Sequence, residues 1–242
     1  MSGQIASNIA HIHSEISKYA ALFGREPAAV MLVAVSKTVN LDSILEAVAT
    51  GQRHFGENYV QEGVEKIQTL AALQPVLAAQ LQWHLIGPLQ SNKTRVVAQH
   101  FDWVHTIDRL KIAQRLSEQR PADKAPLQVL LQINVDGAAS KSGIAPSDAL
   151  ALALAVQALP QLQLRGLMSM PDPQHEAAQT QELHRQVAEC LERINQHPSF
   201  AAQPLDILSM GMSGDMPQAL AAGSNLLRIG SAIFGQRAAK TP

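Results

Sequence analysis

Short apolar runs alternate with longer amphipathic stretches along the whole chain. The run 31–35, MLVAV, is rich in β-branched residues and has no polar face, as expected of a strand covered on both sides of a parallel sheet. Comparable runs recur at 53–57 (RHFGE), 83–87 (WHLIG), 101–107, 127–135 (LQVLLQINV), 162–168, 205–209 and 226–229. Between them the apolar spacing turns helical. Helices are predicted over about 41–50, from Tyr59 toward Leu77, through Val97 after PLQSNK, over RLKIAQRLSEQ with Asp108 as its cap, over about 147–158 and over about 175–196. In the last of these Cys190 shares the apolar face with Leu183, Val187, Leu191 and Ile194, which reads as a buried structural thiol. A leading helix over 3–23 aligns Ile5, Ile9, Ile12, Ile16, Tyr19 and Phe23, with Gly24 as its stop and His11 and His13 toward solvent.

Eight strands alternating with helices, after one extra helix, predict a (β/α)8 TIM barrel; a doubly wound open sheet is the competing arrangement. No linker composition or low-complexity segment interrupts the pattern, so residues 1–242 read as one domain. Lys and Arg number 19 against 20 acidic residues, and aromatics are 4%. That balance gives no case for a nucleic-acid or membrane surface. One cysteine excludes an internal disulfide, and no Cys/His spacing suggests a metal. The opening MSGQIASNIAHIHSEI lacks the form of a secretory signal, and no apolar run reaches membrane-spanning length. A cytoplasmic protein is expected.

Candidate chemistry gathers where the runs end. Lys37 closes the first strand, either because it has reached solvent or because it is an amine held at the barrel mouth as a nucleophile toward an aldehyde. Strand seven ends in Ser209-Met210-Gly211-Met212-Ser213-Gly214-Asp215, and strand eight in Arg228-Ile229-Gly230-Ser231. Two glycine-serine loops after the last two strands suit a phosphate, although each alone is an ordinary strand-to-helix turn. Arg228 alternates into the barrel mouth, where it needs an acceptor; a buried salt bridge with Glu57 is the plain alternative.

These elements are shared with a known family. The stretches LVAVSKT (32–38), GxxxFGENYVQE (51–62), WHLIGPLQSNK (83–93), HTIDR (105–109), SKSGI (140–144), RGLMSMP (165–171), LSMGMSGDM (208–216) and GSNLLRIGSAIFG (223–235) resemble, in order, the YggS/PROSC group of pyridoxal phosphate homeostasis proteins. The resemblance implies a barrel similar to the N-terminal domain of the alanine racemases, with pyridoxal 5′-phosphate (PLP) as cofactor. It makes Lys37 the Schiff-base lysine, places the phosphate on Ser213, Gly230 and Ser231, and sets Arg228 against the pyridine nitrogen. Asn58 and Met212 fall in matching motifs near the ring, and Lys141 is a candidate second PLP lysine. His84 and Asn92 match the pattern without an assigned role.

An arginine at the pyridine nitrogen disfavours its protonation and leaves the cofactor a weak electron sink. A racemase also needs a second base, a tyrosine that the racemases bring from an additional domain. Tyr19 and Tyr59 are the only tyrosines here; Tyr19 belongs to the leading helix, and Tyr59 is expected to pack at a helix start. The resemblance therefore implies a monomeric carrier that buffers PLP and delivers it to PLP-dependent apoenzymes, with no catalytic residue. The alternatives are a PLP-dependent racemase or lyase using Lys37 as its base, and a PLP-free phosphate-binding isomerase.

Overall fold

The computed structural model describes residues 3–137 and 142–235. Its strands are β1 (Met31–Val35), β2 (His54–Glu57), β3 (Gln82–Leu85), β4 (Trp103–Ile107), β5 (Leu127–Ile133), β6 (Leu162–Ser169), β7 (Ile207–Ser209) and β8 (Leu226–Ile229). All pair in parallel in sequence order. The pairing of Met31 with Leu226 through Ala34 with Ile229 closes β8 onto β1, so the sheet is a closed barrel and the open alternative is excluded. Around it lie α1 (Gln4–Leu22), α2 (Leu41–Ala49), α3 (Val60–Leu73), α4 (Pro75–Ala78), α5 (Thr94–His100), α6 (Leu110–Gln119), α7 (Ala149–Gln157), α8 (Ala177–Asn195), α9 (Met216–Ala221) and α10 (Ser231–Phe234).

The period-two alternation of the strands sorts their side chains into two cores. Val33, Trp103, Leu130, Met168, Ile207 and Leu226 fill the barrel, whereas Leu32, Ala34, Val104, Leu131 and Ile229 face the helices. Helix α1 lies against α2, α9 and α10 and buries Ile5, Ile9, Ile12 and Ile16. Burying one such side chain contributes about 1.5–3 kcal/mol. Gly24, at φ +65°, ends that helix in the left-handed conformation that glycine adopts freely. His11 and His13 are exposed and Cys190 is buried, as the periodicity predicts.

The differences from the sequence reading have local causes. The helix expected to run toward Leu77 breaks at Gln74, because Pro75 has no N–H to continue the ladder and starts a new turn. Strand β5 stops at Ile133 because Asn134 N–H donates to the Ile144 carbonyl and Ile144 N–H to the Gln132 carbonyl, which ties the strand end to the returning loop instead. Leu205 precedes β7, its N–H taken by the Asn195 side chain. Asp108 caps nothing: its carboxylate accepts from the Arg109 guanidinium at 2.6 Å, and α6 begins without a side-chain cap. No helix among the described residues is long and apolar enough to cross a membrane.

Candidate functional site

A cavity of about 540 Å3 opens at the C-terminal ends of the strands. The alternation that turns Met31 and Val33 inward continues past β1, so Val35 and Lys37 reach the cavity wall. Lys37 is half-buried there rather than released into solvent. Asn58 follows β2, Ser213 lies after β7, and Gly230 and Ser231 follow β8. All of these, with Met212 and Arg228, line the same cavity. The structure thus brings together every residue that the resemblance assigns to the cofactor except Lys141, which lies outside the described residues. Asn92 is exposed and does not line the cavity.

Gly211 sets the shape of the β7 loop. It adopts φ +92°, and a Cβ there would come within 2.6 Å of the Ala219 side chain. Asp215 ties the loop down: one carboxylate oxygen accepts from Met212 N–H at 2.6 Å and the other meets His184 Nε2 at 2.9 Å. Burial alone would raise the Asp215 pKa, but the hydrogen bonds from His184 and Met212 outweigh it and hold the carboxyl below its usual range. Ser213 stands in this loop, before α9 rather than at its first turn. The backbone N–H groups of Ser213, Gly214, Gly230 and Ser231 have no hydrogen-bond partner among the described residues. Together with the Ser213 and Ser231 hydroxyls they form a donor-rich cradle, which is the chemistry a phosphate requires.

Arg228 forms the floor beside that cradle. Its Nη1 donates to the Ser209 carbonyl and hydroxyl, both at 2.6 Å, and its Nη2 donates to the Ser169 carbonyl at 3.0 Å. A guanidinium carries five N–H donors, so Nε–H and part of Nη2 remain for an acceptor in the cavity. Burial pushes its pKa down to about 10, with Asp215 opposing, and it stays charged at neutral pH. The alternative pairing with Glu57 is not formed. Glu57 is taken by Ser36 Oγ at 2.6 Å and Lys66 Nζ at 2.9 Å.

Below Arg228 runs a chain of histidines that the sequence reading did not find. Ser209 Oγ lies 3.0 Å from His105 Nδ1, His105 Nε2 lies 2.9 Å from His84 Nδ1, and His84 Nε2 lies 3.0 Å from His54 Nδ1. Because Arg228 already donates to Ser209, the hydroxyl is free to donate to His105, and each imidazole can then donate to the next. That orientation turns the imidazole lone pairs toward the guanidinium charge. Burial holds His84 and His105 neutral, with pKa values well below the usual histidine range; neighbouring imidazoles add to the effect on His84 and Arg228 to that on His105. The available signal was one histidine inside each of three neighbouring apolar strands, at positions that face inward only once the barrel closes. Tyr59 is exposed rather than packed, and neither it nor Tyr19 lines the cavity. Among the described residues no cluster of His, Cys, Asp and Glu is placed to hold a metal ion.

Comparison with known proteins agrees with this geometry. Residues 7–238 match the family model described as alanine racemase, N-terminal domain. A Vibrio cholerae protein named pyridoxal phosphate homeostasis protein is 55% identical over 240 residues, covering 96% of this chain and 96% of its own length. An Escherichia coli K12 protein of the same name is 51% identical over 234 residues, covering 96% of this chain and 97% of its own. The solved structure of PipY from Synechococcus elongatus with PLP bound superposes with a TM-score of 0.79 at 37% identity, over 96% of this chain and 100% of that one.

Proposed function

Since the chain belongs to the pyridoxal phosphate homeostasis family, within the wider family of alanine racemase N-terminal domains, we propose that it binds PLP and serves as a carrier of that cofactor. The observation that supports this most is the convergence of an amine, a guanidinium and a phosphate cradle on one cavity. Lys37 is the covalent anchor. The cradle of Ser213, Gly230 and Ser231 holds the phosphate. Arg228 offers its remaining N–H groups to the ring nitrogen, while Asn58 and Met212 flank the ring. When bound, the cofactor supplies an aldehyde carbon that condenses with a primary amine, forming a carbon–nitrogen bond and releasing one water.

Two features support carriage rather than turnover. Arg228 is already a cation, so it donates to the ring nitrogen without protonating it, and electron withdrawal through the ring stays weak. Among the described residues, which include both Tyr19 and Tyr59, no tyrosine lines the cavity to serve as a second base. The recipients are PLP-dependent apoenzymes, and the protein works as a cytoplasmic monomer. The test is transfer: the loaded protein is mixed with an apo-aminotransferase, and recovered activity is followed against cofactor lost from this chain. In parallel, amino acids are incubated with it in deuterium oxide and α-proton exchange is read by NMR. Transfer without exchange is expected; exchange faster than that given by free PLP would establish the racemase or lyase alternative instead.

A further inference from the structure

The two residues flanking Lys37 are held by a charge cluster that lies outside the cavity. Lys66, on α3, is 7% exposed. Its Nζ donates to the Ser36 carbonyl at 2.7 Å, to Glu57 Oε1 at 2.9 Å and to Glu62 Oε1 at 2.6 Å. An ammonium has three donors, and all are used. Ser36 Oγ also donates to Glu57 Oε1 at 2.6 Å, and Thr38 N–H donates to Glu62 Oε1. The residue before Lys37 and the residue after it are thus tied to one ammonium and its two carboxylates.

The turn so held is strained. Thr38 is β-branched and sits at φ +62°, in the left-handed region that such residues avoid. A buried ion cluster is a poor source of stability compared with packed apolar side chains. A cluster that grips both sides of a strained turn is better explained by what the turn carries. The Thr38 conformation decides how the chain leaves β1 after Lys37, and hence where the Lys37 amine is presented.

We propose that Lys66 is a positioning residue for Lys37: through Ser36, Glu57 and Glu62 it holds Thr38 left-handed and so aims the Lys37 amine into the cavity. This rests on Lys37 being the anchor proposed above. Without the clamp Thr38 relaxes to negative φ, and only a minor fraction of molecules presents the amine correctly. Glycine at 38 adopts the left-handed conformation at no steric cost, so it removes the need for the clamp.

The experiment uses the full chain with PLP. Covalent attachment is trapped with borohydride at set times and quantified on the Lys37 peptide by mass spectrometry, while binding of PLP and of pyridoxine 5′-phosphate is measured separately by fluorescence. Lys66→Met should slow attachment about tenfold, equivalent to about 1.4 kcal/mol, and leave affinity for pyridoxine 5′-phosphate, which has no aldehyde to attach, within about twofold, because the phosphate cradle and Arg228 are untouched. Thr38→Gly alone should stay near wild type, and Lys66→Met with Thr38→Gly should recover most of the rate. Should Lys66→Met fail to fold, Glu62→Ala removes the Thr38 acceptor from a partly exposed position and should show the same slowing and the same rescue. A wild-type rate in Lys66→Met or Glu62→Ala, or a double variant no faster than the single one, overturns the positioning role. A wild-type protein that binds PLP with no adduct on Lys37 overturns the anchor reading, and the positioning role with it.

Discussion

Acidification tests the barrel interior directly. His84 and His105 are fully buried, and burial holds both imidazoles neutral well below the ordinary histidine range. In the unfolded chain the same groups take up protons near pH 6.5. Below that pH the unfolded state binds more protons than the native state, so stability falls as pH falls. The loss begins as pH drops through about 6.5 and continues down to the depressed native values. Across that window each imidazole contributes a slope of about 1.4 kcal/mol per pH unit, and the pair about 2.7. One pH unit in that window removes a large share of a typical domain stability of about 5–15 kcal/mol. The assay is urea unfolding between pH 7.5 and 5 for wild type and His84→Gln, whose amide can still bridge His105 and His54. The variant should lose stability less steeply on acidification, by about 1.4 kcal/mol per pH unit. Parallel slopes would show that His84 titrates normally in the native state and would refute the neutral chain.

Three further outcomes follow from the site and its supports. Ser213→Ala and Ser231→Ala should each weaken PLP binding about ten- to hundredfold, as loss of a hydrogen bond to a charged group implies; pyridoxal, which lacks the phosphate, should bind both variants as it binds wild type in an equilibrium titration. Gly211→Ala should destabilise the fold by about 2–4 kcal/mol, since the residue sits at φ +92° and its Cβ would press on Ala219; chemical denaturation measures this, and a loss below about 0.5 kcal/mol would contradict the packing account. Cys190 is buried and its thiol pKa is raised by burial. A thiol-reactive dye should therefore label it only on unfolding, and labelling of the native protein at the rate of a free thiol would contradict its burial.

The barrel was legible because parallel strands covered on both faces leave continuous apolar runs, and the helices between them leave stripes. Lys37 was legible for the same reason: its position two residues beyond Val35 keeps it on the inward face. Gly230 and Ser231 could be located because they stand directly after β8, and Ser213 because it sits in the glycine-flanked loop between β7 and α9. Contacts between distant segments were harder to see. His54, His84 and His105 lie on three strands, and each looks like an isolated polar residue until closure aligns them. Lys66 follows Glu62 at the spacing of an ordinary surface pair on a helix, and nothing local marks it as buried under the Lys37 turn. Asp108 had the right residue type for a cap, but Arg109 took its carboxylate. The Glu57 pairing offered for Arg228 failed because Lys66 and Ser36 occupy that carboxylate.

The central claim is that this chain holds PLP through Lys37 without consuming amino acids. The most direct measurement is an absorbance spectrum on adding PLP to wild type and to Lys37→Ala, followed by a challenge with amino acids. The account predicts an absorbance band displaced from that of free PLP in wild type, from conjugation of the lysine-bound cofactor, its absence in Lys37→Ala, and no product from any amino acid. The same band in Lys37→Ala would contradict the anchor, and turnover of an amino acid by wild type would contradict the carrier.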